Sequence, residues 1–309
     1  RLCQEWGISY HFEHGEGKHR LVLSDAMSGY RPNASGAYQQ VEYHPPGWRV
    51  DAEYIHAFAP EHQLTSGRYT TTDYDYTQPR ADLTARQMAP RPTGQADGEV
   101  YQWHGAQGAS HYAQPQAGSA QNKAQDEARL ITLLRMEQLR NAGARAKASG
   151  NLRGMQPGHT FKLDWHPRRK ANGEYLILDT QLLIEDIGQD SQIKGAAATS
   201  SASASGATSR GQQWRVQVDF TAHPVREQLR PAHTRTKPHT HGPQTALVVG
   251  PEDQNLWTDE LGRIKIQFPW DRIGAKNQHS SCWVRVSSPR AGNQLGGMHP
   301  PPIGQGGIG

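Results

Sequence analysis

Ile8, Tyr10 and Phe12 take every second position near the start of the chain, with His11 between the last two. After Gly15-Glu16-Gly17 comes Leu21-Val22-Leu23. Two apolar-patterned runs joined by a glycine-rich break predict a β-hairpin with one apolar face. Residues 30 to 120 are rich in Tyr and Gln and are broken by Pro45-Pro46, Pro90 and Pro92. They predict short strands and irregular connections.

From about Lys123 to Lys147 the character changes to Ala, Leu, Glu, Arg and Gln without proline, residues that enter a helix at little cost. At about 100° per residue, Leu130, Ile131, Leu133 and Leu134 fall within half the circumference, while Met136 and Leu139 fall outside it. Such a broad stripe predicts a helix packed on a core and not a coiled-coil seam. Gly150-Asn151 is the predicted stop.

Beyond it Phe161, Leu163 and Trp165 alternate with Lys162 and Asp164, and Asn172-Gly173 precedes Tyr175-Leu176-Ile177-Leu178. Asn-Gly between two such runs predicts a tight hairpin turn. Residues 195–211, almost all Ala, Ser, Thr and Gly, predict a flexible surface loop. Trp214, Val216, Val218 and Phe220 then alternate with Arg215, Gln217 and Asp219, so the loop interrupts a sheet and does not divide domains. The polar, proline-bounded stretch 233–242 is the better boundary. After it Thr245–Val249, the series Ile264, Ile266, Phe268, Trp270, and Trp283-Val284-Arg285-Val286 predict a small barrel of short strands.

Composition narrows the class. The chain has 309 residues, enough for about two domains. Only 35 % are hydrophobic, and 32 Gly with 20 Pro favour turns and strands. No apolar run reaches the roughly 18 residues of a membrane helix. A formal charge of +4 is spread along the chain with no basic patch, which argues against a nucleic-acid partner. Cys3 and Cys282 are too far apart in sequence for a CxxC motif, and two cysteines make no disulfide scaffold, so both are expected as buried thiols of a reducing compartment. The chain opens Arg1-Leu2-Cys3 with no leader pattern and is expected to be part of a longer protein.

Chemistry is sparse. His239 and His241 could place two imidazoles on one side of a strand, but zinc requires four ligands and no Cys, Asp or Glu stands at a useful spacing. No metal site or cofactor is expected. Nucleotide-binding, zinc-protease and nucleophile-elbow motifs are absent. Asp259 and Asp271 are a formal acid–base pair for glycoside hydrolysis, yet each adjoins a turn, where an aspartate more often bonds local backbone. No enzyme is expected.

Two long stretches carry a resemblance. One is Gly242-Pro243-Gln244-Thr245 through Val249-Gly250-Pro251, then Trp257-Thr258-Asp259-Glu260-Leu261-Gly262-Arg263 through Phe268-Pro269-Trp270-Asp271-Arg272. The other is Ser280-Ser281-Cys282-Trp283-Val284-Arg285-Val286 with Gly292 and Gly296-Gly297-Met298. Together they resemble the valine–glycine repeat protein G (VgrG) family, the trimeric spike at the tip of the bacterial type VI secretion machine. Glu5-Trp6-Gly7-Ile8, His14-Gly15, His19-Arg20-Leu21-Val22-Leu23, Leu152–Gly158 and Asn172–Leu176 resemble that family's hub.

The resemblance implies a mainly β, α+β chain. Residues 1–234 would be part of a phage tail-hub-like domain carrying the 195–211 insertion, and 237–309 a C-terminally truncated oligonucleotide/oligosaccharide-binding (OB) barrel. Thr258, Asp259, Gly262, Arg263, Phe268, Trp270, Asp271, Trp283, Arg285, Gly292 and Gly297 would be its structural motif positions, with Phe268 and Trp270 in the core and Gly262 making the turn before Arg263. Pro301-Pro302-Ile303-Gly304-Gln305-Gly306-Gly307 departs from the family and predicts a weakened last strand.

The implied function is a non-catalytic, membrane-puncturing spike component. It would be a homotrimer in its full-length form, with an Hcp-like inner-tube ring, a PAAR-type tip protein and effectors as partners. It would be cytoplasmic before firing and then injected into the target cell. The alternative is a phage-like tail hub with lysozyme activity in a further domain. A nucleic-acid or glycan-binding barrel is disfavoured, because Phe268 and Trp270 share a face with Ile264 and Ile266 while Arg263 and Lys265 lie opposite.

Overall fold

Alternation on either side of residue 238 builds two compact units, Arg1–Lys237 and Pro238–Gly309. The computed structural model describes residues 1–47, 52–94, 96–103, 112, 124–141, 143–186, 214–235, 237–238, 242–292 and 295–308. The predicted loop 195–211 and the pair His239 and His241 lie outside them.

The first unit opens with helix α1 (Leu2–Glu5) and the hairpin strands β1 (Ser9–Gly15) and β2 (Lys18–Ser24). Short strands follow: β3 (Arg31–Pro32), β4 (Gln40–Glu42), β5 (Ile55–His62), β6 (Arg68–Thr72), β7 (Ala85–Met88) and β8 (Glu99–Trp103). Then come helix α2 (Ala124–Asn141) and strands β9 (Ala144–Gly150), β10 (His159–Asp164), β11 (Gly173–Asp186) and β12 (Trp214–Pro224).

One sheet dominates, in the order β3-β10-β11-β12-β9-β5, with β4 also pairing to β10. Its inner face holds Ile55, Phe161, Leu163, Ile177, Val218 and Ala222, none more than 1 % exposed. Phe161 meets Phe220 edge-on at 5.6 Å between ring centres, a favoured aromatic geometry. A smaller sheet, β7-β6-β8, packs beside α2.

The predicted helix ends early. It closes at Asn141, and Ala144–Gly150 is a strand. Ala144, Ala146 and Ala148 are buried while Lys147 faces solvent, a period of two that pairing with β12 and β5 imposes over the helical preference of Ala, Arg and Lys. The buried face of α2 also differs from the expected stripe. Ile131, Leu134 and Met136 are inside, whereas Leu130 and Leu133 are 45 % and 39 % exposed. Ala128, Thr132, Arg135 and Gln138 are buried with them, so the packed face lies rotated from the leucine-rich one.

No two-residue Asn-Gly turn forms. Leu163 is paired with Gly173, and the intervening chain is a longer loop. Asn172 closes it, its Oδ1 accepting from the His166 N–H (2.9 Å) and its Nδ2 donating to His166 O (3.0 Å). Trp165 falls out of the alternation as well, at φ 68° and 69 % exposed.

The second unit contains β13 (Thr245–Val249), β14 (Lys265–Gln267), β15 (Arg290–Gly292), β16 (Leu295–Gly297) and β17 (Gly306–Ile308). Ala246, Val248, Ile264 and Ile266 form its core, with Phe268, Val284 and Val286 against it. Trp283–Val286 contributes a single bridge, Val284 to Ile264, and not a full strand. The terminal strand does form. β17 pairs with β13, because Gly306 and Gly307 still offer backbone groups to the ladder. Neither cysteine is buried: Cys3 is half-buried and Cys282 exposed.

Candidate functional site

The N-terminal hairpin is folded with its polar face inward. Register pairs Tyr10 with Leu23 and Phe12 with Leu21, so these four side chains share a face. They are 50–61 % exposed. The other face packs inward on hydrogen bonds. Tyr30 donates to Ser9 Oγ (2.6 Å), and Ser9 Oγ donates to Ser24 O (2.9 Å). His11 is buried, 5.5 Å from the Tyr30 ring and 6.1 Å from that of His159. Burial, reinforced by His159 and opposed by Glu13, lowers its pKa and so favours the neutral imidazole. Gly158, at φ 81°, lies so close that a Cβ there would sit 2.3 Å from the His11 ring. The inward fit is therefore tight, and the apolar residues are left for something else to cover. Alternation in the sequence identified both faces but could not say which one meets the chain's own core.

In the second unit Asp259 organises the turn before β14. Its Oδ1 accepts from the Leu261 and Arg263 N–H groups at 3.0 and 2.9 Å, and its Oδ2 from Arg263 Nε at 2.5 Å. Burial would raise the carboxyl's pKa, but the bonds from Arg263 and Leu261 outweigh it and the net shift is downward. Gly262 supplies φ 68°, the left-handed position the turn requires. Arg263 was expected on the solvent face and is instead buried with Asp259, each side chain 9 % exposed. Thr258 is half-buried at the head of this turn.

Trp270 is not in the core. It is 65 % exposed, stacked on Phe268 at 5.0 Å and 8°, with Nε1 donating to Gln244 Oε1. The cause is local. Pro269 has no N–H to continue β14, and Phe268–Asp271 closes a turn through Asp271 N to Phe268 O (3.0 Å), which ends the period of two. Trp270 is therefore not a core residue that would speak against a ligand-binding barrel, whereas Phe268 does pack on the core as expected.

Asp271 accepts from the Ile273 and Gly274 N–H groups. Both candidate acid–base carboxylates are thus committed to turns. Trp283 stacks on Trp257 (6.1 Å, 27°) and carries Lys265 Nζ 4.9 Å from its centre. Arg285 is exposed, and Gly292 and Gly297 lie on the paired strands β15 and β16.

One buried residue had no sequence signal. Gln267 donates to Asp271 O and Gly274 O and accepts from Lys276 N and Ser280 Oγ, so its amide ties the 271–280 loop to the barrel. Ile273, Leu295 and Met298 add outward apolar area, at 90 %, 65 % and 68 % exposure. Among the described residues no cluster of three His, Cys, Asp or Glu is placed to hold a metal.

Residues 1–187 match the family model described as phage tail baseplate hub (GPD), and residues 245–308 that of the type VI secretion system/phage-baseplate injector OB domain. The chain is 32 % identical over 309 residues to the type VI secretion system spike protein VgrG1b of Pseudomonas aeruginosa, with 99 % of this chain and 37 % of that protein covered. VgrG1a of the same organism is 33 % identical over 310 residues, covering 99 % of this chain and 42 % of the relative. The actin cross-linking toxin VgrG1 of Vibrio cholerae is 30 % identical across 98 % of the chain but 25 % of its own length. The solved structure of the E. coli c3393 protein, a type VI secretion component described as similar to T4 tail proteins gp27 and gp5, aligns at TM-score 0.47 and 15 % identity, covering 92 % of this chain and 52 % of that one. The chain therefore spans less than half the length of these Pseudomonas spike proteins. It belongs to the phage tail baseplate hub (GPD) family and, over nearly its whole length, is similar to the VgrG spike proteins of type VI secretion systems.

Proposed function

We propose that the chain is the hub and barrel portion of a type VI secretion spike, a non-catalytic component that assembles as a homotrimer in its full-length form. Residues 1–234 act as the hub portion and 237–309 as the OB barrel, with Asp259, Gly262, Arg263 and the other motif residues holding the barrel's turns. The hub meets an Hcp-like inner-tube ring, the spike carries a PAAR-type tip protein and effectors, and the assembly is cytoplasmic until it is fired into a target cell. No helix among the described residues is long and apolar enough to cross a membrane, and a spike that is driven through one by its machine needs none.

The observation that carries the assembly role is the hairpin whose apolar face, Tyr10, Phe12, Leu21 and Leu23, points outward. In a chain of only 35 % hydrophobic residues, a row of four apolar side chains on a two-stranded sheet is area that a neighbouring subunit covers. The test is the native mass of the full-length protein at micromolar concentration, with and without Phe12→Ser and Leu21→Ser. A trimer that dissociates on the double substitution, with its thermal melt otherwise intact, supports the reading. A stable monomer or dimer of the unsubstituted protein removes it.

A further inference from the structure

The sequence spreads its basic residues, but the fold gathers several. At one end of the main sheet the start of β9, the end of β12 and the loop between β10 and β11 converge around a cavity of about 620 Å³. Arg145, Arg168, Lys170 and Arg226 line it, with His62, and among the described residues no Asp or Glu does. Its remaining lining is apolar and stiff: Pro60, Ala144, Ala171, Pro224 and the Tyr175 ring, with Asn172 at one side.

Among the described residues of this lining, Arg145 is held in place. Its Nη1 donates to Ala144 O (2.8 Å) and to His223 Nδ1 (2.7 Å). Arg168, Lys170 and Arg226 are exposed, and among the described residues none of the three is in an ion pair. Elsewhere in the same unit basic side chains find partners, as Arg230 does with Glu137 and Lys147 with Glu61. Like charges brought together at one mouth repel one another and raise the local concentration of anions.

A second cavity of about 230 Å³ adjoins the first, shares Lys170, Asn172, Tyr175, Pro224 and Arg226 with it, and adds one carboxylate, Glu174, whose Oε1 accepts from Thr160 Oγ1 (3.0 Å). The combined site is longer than one phosphate or carboxylate group. Guanidinium groups suit carboxylates in a two-pronged contact, and proline and tyrosine surfaces suit aliphatic stems. The volume is within the range of ligand sites.

We propose that this groove docks an acidic peptide segment of a partner protein. Its carboxylates pair with Arg168, Lys170 and Arg226 while its apolar side chains lie on Tyr175, Pro60 and Pro224. The site is independent of the outward hairpin face, so it stands or falls separately from the trimeric reading.

The test is fluorescence polarisation of a labelled peptide of alternating glutamate and leucine with the intact protein at low salt. Tripolyphosphate and a lysine–leucine peptide serve as the comparison probes. The acidic peptide is expected to bind and the basic one not. Arg168→Glu and Arg226→Glu should each weaken binding at least tenfold. Arg80→Glu, the same charge change at an exposed residue outside the groove, should stay within twofold. Arg168→Gln and Arg226→Gln, which remove charge without reversing it, decide the matter if a reversal lowers the thermal melt. Absence of acidic-peptide binding, an equal loss in Arg80→Glu, or binding of tripolyphosphate alone overturns the proposal.

Discussion

Trp270→Ala separates two accounts of the barrel. A tryptophan in the core would leave a cavity on truncation and cost about 3–5 kcal/mol. The structure gives it a different setting: 65 % exposed, one stacked ring and one exposed hydrogen bond. An aromatic pair is worth about 0.5–1.5 kcal/mol, and an exposed hydrogen bond adds little, so the expected loss is about 1 kcal/mol. Ile266 is only 7 % exposed and sits in the core beside Val248 and Ile264. Ile266→Ala should therefore cost about 3 kcal/mol.

Because the chain has two units, a global melt would mix their responses, and amide hydrogen exchange in peptides spanning residues 245–249 reads the barrel alone. At about 1.4 kcal/mol per factor of ten, protection should fall about 5-fold for Trp270→Ala and about 150-fold for Ile266→Ala. Equal losses for the two variants would refute the placement of Trp270 on the surface.

Three further outcomes follow from single contacts. Burial, with Arg145 beside it, lowers the pKa of His223, whose Nδ1 accepts from Arg145 and whose Nε2 donates to Glu227 O. The unfolded chain therefore binds the proton first on acidification. The His223 contribution is complete above about pH 6.5 and is lost as pH falls below that value toward the depressed folded pKa. The melting temperature should decline from pH 7 to pH 5, and less steeply in His223→Gln; an unchanged slope would count against the assignment. Asp259→Ala leaves Arg263 without its buried carboxylate and should cost about 3 kcal/mol by the same exchange measurement; a loss under 1 kcal/mol would make the pair incidental. Gly158→Ala adds a Cβ into the His11 ring at a positive φ and should lower the melting temperature by at least about 4 °C; no change would mean that the hairpin is not seated as described.

What could be read from the sequence was the set of faces, and what could not was their destination. Alternation located β1 and β12, since a period of two is a local property of an extended chain, and short apolar runs located β2 and β13. It failed where a local preference met a distant partner. Ala144–Gly150 has helix-forming residues but lies between β12 and β5, and the ladder on both sides overrides the preference. It failed again at Trp270, where the strand stops at Gln267, before Pro269 and three residues short of the end of the alternating pattern.

The hairpin and the basic groove show the remaining gap. Tyr10, Phe12, Leu21 and Leu23 look like a core face because sequence analysis assumes that a chain buries its own apolar residues. A subunit of a larger assembly has a second place to bury them, and the polar side then serves the intramolecular contact through Ser9, His11 and Tyr30. Arg145, Arg168, Lys170 and Arg226 carry no pattern at all, because the spacing that unites them is set by strand order and not by sequence distance. The features least legible in the chain are therefore the two surfaces on which a partner would act. Both arise only when the sheet is assembled, and both leave side chains whose apolar area or charge the described residues do not offset.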